Sequence, residues 1–297
     1  MITEHTDMKK HLLIIGWGYT AKYLAKALDA SQWTVTATTR QINSVESLND
    51  TITLIPYQLD AIEQPIQRCT HCLITAPCLS HDHDTVLELC RELLLQPLPS
   101  LQWVGYLSST SVYGDHQGNW VNEQSELLTH ESRGLQRIRA EQHWLDLFNQ
   151  RQVPIHIFRL AGIYGPQRNA IDNIRRGKQA CVVKPHQVFS RIHVEDIARA
   201  LVCSFDQPTP GTVYNLADDS PSSPESVYDF ACSLLNRPPL THRVFNSQLE
   251  SEMVNSFYSS CRRVSNATFK QQFNFQLRYP SYEEGLKALH INAQPLD

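Results

Sequence analysis

The sequence predicts an α/β protein: a doubly wound parallel sheet with a smaller C-terminal capping part. Three observations predict it. Short apolar, β-branched runs alternate with helical patterns from residue 11 to about 217. A glycine-rich turn stands between the first such run and the first helical pattern. Beyond it, Pro208, Pro210, Pro221, Pro224, Pro238 and Pro239 break the chain into short pieces, and regular alternation stops.

The elements follow in order. His11–Ile15 reads as a strand, Gly16-Trp17-Gly18 as a tight turn, and Tyr19–Leu28 as a helix with apolar residues on one face. Trp33–Thr38, rich in β-branched residues, closes a βαβ unit of about 30 residues, for which parallel pairing is the natural outcome. Further strands are expected at Ile52–Ile55, Cys72–Thr75, Trp103–Leu107, Ile155–Phe158 and Val213–Asn215, with helices near 84–95, 135–150 and 195–205. The division expected is a sheet domain over 9–165, completed by about 190–217, and a capping region over 166–189 and 218–297.

Composition narrows the functional classes. The 297 residues are 41% hydrophobic and 19% charged, values of an ordinary globular chain able to bury a sizeable core. A formal charge of −4 argues against the broad positive field that nucleic-acid backbones require, and Arg175-Arg176-Gly177-Lys178 reads as a solvated cluster. The first ten residues hold no apolar stretch, and no later run approaches a membrane span, so a cytoplasmic location without membrane association is the expectation. The eight cysteines are scattered, which predicts reduced thiols. Cys69-Thr-His-Cys72 has metal-pair spacing but no second pair to complete four ligands, and His81-Asp82-His83-Asp84 reads as a polar loop. No metal is expected.

The turn carries the first chemistry. Gly16-x-Gly18-x-x-Ala21 follows a strand and opens a helix, where a dinucleotide fingerprint must sit: Gly16 allows the tight turn, Gly18 lets the backbone approach a pyrophosphate, and Ala21 lets the helix pack close. Trp17, Tyr19 and Thr20 complete that turn, and the N–H groups of the helix start would face the phosphates. An NAD site places a carboxylate about 20 residues beyond the glycines, to take the ribose 2′-hydroxyl. Here the second strand ends Thr38-Thr39-Arg40, and no carboxylate appears until Glu46. Arg40 suits a 2′-phosphate, so NADP is the expected cofactor, with NAD the alternative.

Five further segments stand in order: Leu59-Asp60, Leu107-Ser-Ser-Thr-Ser-Val-Tyr-Gly114, Phe158-Arg-Leu-Ala-Gly-Ile-Tyr-Gly-Pro166, Arg191-Ile-His-Val-Glu-Asp-Ile-Ala198 and Val213-Tyr-Asn-Leu-Ala217. With these the chain, from about residue 11 to 290, resembles the extended short-chain dehydrogenases/reductases, the Rossmann-type NAD(P)-dependent epimerases and dehydratases, and among them atypical members. The resemblance implies that Asp60 lies by the adenine, that Thr75, Ala76 and Pro77 line the cofactor, that Leu160 to Ile163 passes the nicotinamide, and that a small-molecule substrate binds under the C-terminal cap. It also implies that Ser109 hydrogen-bonds a substrate oxygen.

The chemistry departs from that family at one place. Its members use a Tyr-x-x-x-Lys pair in which lysine eases proton exchange by the tyrosine. Counting back from Glu141 puts Arg133 and Arg137 at those positions, and none of the eleven tyrosines is followed four residues later by lysine. Arginine stays protonated, so it binds anions or polarises a carbonyl but does not exchange protons. Candidate donors are then Tyr113 and Tyr164, followed by His116 and His193, the last reading better as part of a strand-to-helix junction. Gly162 replaces the asparagine common in sugar-nucleotide enzymes, and their arginine before the Ile-His-Val segment corresponds here to Phe189 or, displaced, to Arg191. Arg191, Arg262 and Arg263 suit either an acidic substrate or internal pairing. Two functions remain open: an NADP-preferring oxidoreductase or epimerase-like protein with an altered proton donor, acting on a small polar or sugar-like compound, or an NADP(H)-binding sensor without turnover. Oligomeric state is not readable from the sequence.

Overall fold

The computed structural model describes residues 9–76 and 85–291. It contains an eight-stranded sheet whose strands, in chain order, are β1 (Lys10–Ile15), β2 (Trp33–Thr39), β3 (Glu46–Ser47), β4 (Ile52–Pro56), β5 (His71–Ile74), β6 (Trp103–Ser109), β7 (Ile155–Leu160) and β8 (Thr212–Leu216). The helices are α1 (Tyr19–Ala27), α2 (Leu59–Arg68), α3 (Thr85–Leu94), α4 (Ser132–Arg151), α5 (Ala170–Arg175), α6 (Val194–Asp206), α7 (Pro224–Leu234), α8 (Glu252–Tyr258), α9 (Ala267–Phe273) and α10 (Tyr282–Ile291).

Across the sheet the order is β8-β7-β6-β5-β1-β2-β4-β3. The pairs β1–β2, β1–β5, β2–β4 and β5–β6 are parallel, and the two-residue edge strand β3 runs antiparallel to β4. The chain builds outward from β1 through β2 and β4, then returns to β5 on the other side. This makes the β1/β5 boundary the topological switch point, the place where open α/β sheets receive ligands at the carboxyl ends of their strands.

The chain divides into two compact units. The first comprises residues 1–108, 139–158 and 198–213; the second comprises 109–138, 159–197 and 214–297. In the first, Leu12 to Ile15 of β1 are all fully buried. A strand covered on both faces is apolar throughout, which is why it reads as an unbroken run. One face packs Leu13, Ile15, Cys72, Ile74, Val104 and Tyr106 with Ile62 and Ile66 of α2, Cys90 and Leu94 of α3, and Trp144 and Leu147 of α4. On the other, Phe205 of α6 meets the rings of Trp33, His71 and Trp103 at centroid separations of 4.6 to 5.3 Å. Each fully buried large side chain contributes on the order of 1.5–3 kcal/mol from surface removed from water.

The second unit has its own core, where Ile171 and Ile174 of α5, Val227 and Ala231 of α7 and Tyr282 and Leu286 of α10 pack together. Helix α7 starts where the sequence says it must: Ser223 Oγ accepts the Ser226 N–H, and Pro224 takes the first turn, where its missing N–H costs nothing. Short parallel ladders join Gly162–Tyr164 to Arg191–His193 and Trp120–Val121 to Arg263–Val264.

Candidate dinucleotide and substrate sites

The turn after β1 is fixed from two sides of the first unit. Gly16 donates its N–H to Thr38 Oγ1 at 2.9 Å, and Trp17 donates its N–H to the Thr38 carbonyl at 2.8 Å. Thr75 Oγ1 donates to the Gly16 carbonyl at 2.6 Å. Residue 16 must be glycine for the chain's own sake: its φ is +111°, and a Cβ there would lie 2.7 Å from Thr75 Oγ1.

Gly18 is different. Its φ of −96° suits any residue, and among the described residues a Cβ there would meet nothing within 4 Å. The fold has no use for a glycine at that point, whereas a pyrophosphate seated against the backbone does. Gly18 also precedes α1, whose first turn contains no acidic residue and which no side chain caps. The N–H groups that open a helix and its positive end suit an anion. These residues therefore fit a dinucleotide.

The remaining candidates of this unit lie where the parallel strands end. Arg40 directly follows β2, is exposed, and makes no hydrogen bond or ion pair among the described residues. Asp60 is exposed in the first turn of α2, after β4, beside Leu59, which is 44% exposed and offers apolar surface to a flat ring. Thr75 and Ala76 follow β5 and are half-buried. Thr20 is buried, Trp17 and Tyr19 are half-buried, and Pro77 lies outside the described residues, as do His81 to Asp84. Thr38, which the sequence reading left out, is the residue that joins the β2 end to the glycine turn; a buried hydroxyl at the end of an apolar strand was its only signal.

In the second unit, Ser109 caps a one-turn 3₁₀ helix, Thr110–Tyr113, by accepting the Ser111 N–H at 3.1 Å. Its hydroxyl proton is left to be donated elsewhere. Tyr113 is fully buried; its hydroxyl donates to Asn215 Oδ1 at 2.7 Å and accepts from Arg159 Nη1 at 3.0 Å. Burial pushes its phenol above the ordinary range, and the neighbouring Arg159 charge offsets part of that. Tyr164 is buried as well and donates to the Ser281 carbonyl at 3.2 Å; burial and the nearby Asp218 and Asp196 charges push its phenol well up.

His116 bonds the Glu126 carbonyl at 3.2 Å. His193 Nδ1 accepts the Glu195 N–H at 3.2 Å, tying the end of its strand to the start of α6. Leu160 is buried at the end of β7.

Arg133 and Arg137 occupy successive turns of α4, the first exposed and the second half-buried. One turn further along, in the first unit, Glu141 is buried and accepts from Ser108 Oγ at 2.5 Å. Cys69 and Cys72 are enclosed in the hydrophobic core, where burial pushes the Cys69 thiol up to about 12 and also raises the Cys72 thiol well above its ordinary value. Among the described residues no group of three or more His, Cys, Asp or Glu side chains is placed to hold a metal ion, and no helix is long and apolar enough to cross a membrane.

Comparison with known proteins agrees with this geometry. Protein YeeZ of Escherichia coli strain K12 is 26% identical over 298 residues, covering 91% of this chain and 97% of its own. A functionally unknown conserved protein from Silicibacter pomeroyi superposes with a TM-score of 0.86 at 37% identity, over 96% of this chain and 99% of that one. The UDP-glucuronic acid 4-epimerase of Bacillus cereus, solved in complex with NAD, shares the fold at a TM-score of 0.77 and 15% identity, over 95% and 97% of the two chains. The family model described as the NAD dependent epimerase/dehydratase family matches residues 12–217. With the glycine turn, the switch-point sheet and this match in agreement, the chain belongs to the NAD-dependent epimerase/dehydratase family.

Proposed function

We propose that this chain is an NADP-preferring oxidoreductase or epimerase-like enzyme acting on a small polar or sugar-like substrate, with Ser109 holding a substrate oxygen. The observation that carries the reading is Gly18, a glycine that the fold itself does not need, at the uncapped start of α1. Gly16, Trp17, Gly18, Tyr19 and Thr20 hold the pyrophosphate, Asp60 and Leu59 take the adenine end, and Thr75 and Ala76 flank the turn. Pro77 and Leu160 are assigned to the cofactor on the family resemblance alone. Arg40, exposed and unpaired among the described residues, pairs with the 2′-phosphate that distinguishes NADP from NAD. When bound, the nicotinamide ring supplies hydride acceptance and donation.

The protein's own part is to hold and polarise. Ser109 donates its free hydroxyl proton to a substrate oxygen, and Arg133 and Arg137 add positive charge that favours an oxyanion without giving up a proton. Tyr113 and Tyr164 have their hydroxyls committed to Asn215, Arg159 and Ser281, so they act as positioning groups. The same observation favours a second reading, in which the chain binds NADP(H) and reports on it without turnover.

The two readings separate on purified full-length protein. NADPH fluorescence on titration measures binding, and absorbance during incubation with NADP or NADPH and a panel of sugars, keto acids and aldehydes measures turnover. The enzyme reading expects saturable binding and oxidation or reduction with at least one class. Tight NADPH binding without turnover across the panel decides for the sensor, and no binding overturns both.

A further inference from the structure

The three arginines of the second unit that suit an acidic ligand have different surroundings. Arg191 donates through Nη1 to the carbonyls of Phe189 and Ser222, at 2.9 and 3.0 Å, and lies near the buried Asp218 carboxyl. Arg263 Nη1 is bonded to the Gly118 carbonyl. Arg262 Nη1 donates to the Gly114 carbonyl and to Ser260 Oγ, both at 2.8 Å. Among the described residues Arg262 makes no ion pair: Asp115, whose charge acts on it, accepts the N–H groups of Cys261 and Gln117 instead. Among the described residues neither Nε nor Nη2 of Arg262 has a hydrogen-bond partner. A partly buried guanidinium retained without a counter-charge costs folding free energy that a ligand anion would recover. Burial lowers its pKa to about 10, against the opposing pull of Cys261, Asp115 and Tyr113.

Arg262 also sits on a specific frame. Gly114, whose carbonyl it grips, ends the turn that Ser109 caps, and Gly114 donates its N–H back to the Ser111 carbonyl at 3.2 Å. Leu128 donates its N–H to the Tyr113 carbonyl at 2.9 Å, and the adjoining Thr129 packs against Gly134, in the first turn of α4 beside Arg133. Ser109, Arg262 and Arg133 are thus attached to one small scaffold. With about 2 Å per residue inside the 3₁₀ turn and at most about 3.8 Å for each flanking step, the Ser109 and Gly114 Cα atoms lie within about 14 Å of each other.

We infer that Arg262 recognises an oxyanion, a carboxylate or phosphate ester, at the end of the substrate opposite the oxygen held by Ser109, with Arg133 as a second cation. The inference rests on the reading of the chain as a dinucleotide-binding enzyme with Ser109 at the substrate. It narrows the substrate class to small anionic hydroxy or carbonyl compounds.

The test uses the full chain loaded with NADP, titrated with sodium acetate and, separately, inorganic phosphate, with ionic strength held constant by sodium chloride. The readouts are the ¹⁵Nε–¹H resonance of Arg262 and the melting temperature. At about 20 mM anion, a millimolar site is close to saturation and the melting temperature rises measurably. Saturable movement of the Arg262 resonance with either anion is the expected result: acetate alone identifies a carboxylate, phosphate alone a phosphate ester. Arg262→Gln is expected to weaken the anion about 10- to 100-fold while NADPH binding is unchanged. Arg262→Lys keeps the charge and restores part of the affinity, and Arg263→Gln leaves it intact. No saturable effect in wild-type protein that binds NADPH, or equal anion stabilisation of Arg262→Gln, overturns the assignment of Arg262 alone. Failure of wild-type protein to bind NADPH overturns the underlying reading instead.

Discussion

The Tyr113 hydroxyl donates to Asn215 Oδ1 at 2.7 Å across 102 residues of sequence, and Asn215 is itself held by Nδ2 donation to the Ser265 carbonyl at 3.1 Å and by its N–H on Glu123 Oε1 at 2.8 Å. Tyr113 and Asn215 are both fully buried, so removing one leaves the other's polar group unsatisfied. Tyr113→Phe is therefore expected to cost about 1–3 kcal/mol of stability, read as a lower urea midpoint. Any turnover should keep its pH profile. A variant of unchanged stability whose turnover has lost one ionisation would return Tyr113 to the role of proton donor.

What the sequence disclosed and withheld follows from the range of the forces involved. The turn at Gly16 to Gly18 and the strand end before Arg40 were legible because they are local demands, stated within a few residues. The strands were legible because burial on both faces leaves an apolar run, as in Leu12 to Ile15. Helix α2 was not, since Pro65 interrupts its pattern and only Ile62 and Ile66 are buried. Tyr113 and Tyr164 were read as donors because their partners, Asn215 and Ser281, lie 102 and 117 residues away. No local pattern announces such a bond.

Acid should weaken the first unit through two histidines. His71 is fully buried among the rings of Trp33, Trp103 and Phe205, and burial, helped by Lys10 and opposed by Asp206, lowers its pKa to about 4; burial does the same to His156. Both stay neutral when folded and protonate more readily when unfolded. The stability this represents is present above about pH 6.5 and is lost as pH falls from there toward about 4. His71→Phe, which keeps the ring packing, should make the urea midpoint less sensitive to pH over that window. An equally steep acid limb in the variant would refute the assignment to His71.

Glycines 16 and 18 should part company on substitution. Gly16→Ala adds a Cβ 2.7 Å from Thr75 Oγ1 at a φ of +111°, so the apoprotein should melt lower, by an amount corresponding to about 1–3 kcal/mol. Gly18→Val adds its Cβ where no described residue lies within 4 Å, so the apoprotein should melt near wild type while NADPH no longer raises its melting temperature. Retained NADPH stabilisation in Gly18→Val would remove the main support for the dinucleotide site.

On the proposed reading Arg40 sets which dinucleotide is preferred. It follows β2 with no partner among the described residues, and Thr39 Oγ1, one residue earlier, accepts the Gln41 N–H at 3.2 Å, which shapes the turn around it. A guanidinium there gains a charge-assisted bond only when the ribose carries a 2′-phosphate, worth about 1.5–3 kcal/mol, or about 10- to 100-fold in affinity. Arg40→Ala should lose that factor for NADPH and leave NADH nearly unchanged. Arg40→Asp should go further, because a carboxylate repels the phosphate yet accepts bonds from the 2′- and 3′-hydroxyls of NADH. Fluorescence titration of both nucleotides against the three proteins measures the ratio directly, and a ratio that stays constant across them would leave the 2′-phosphate without a partner at this position.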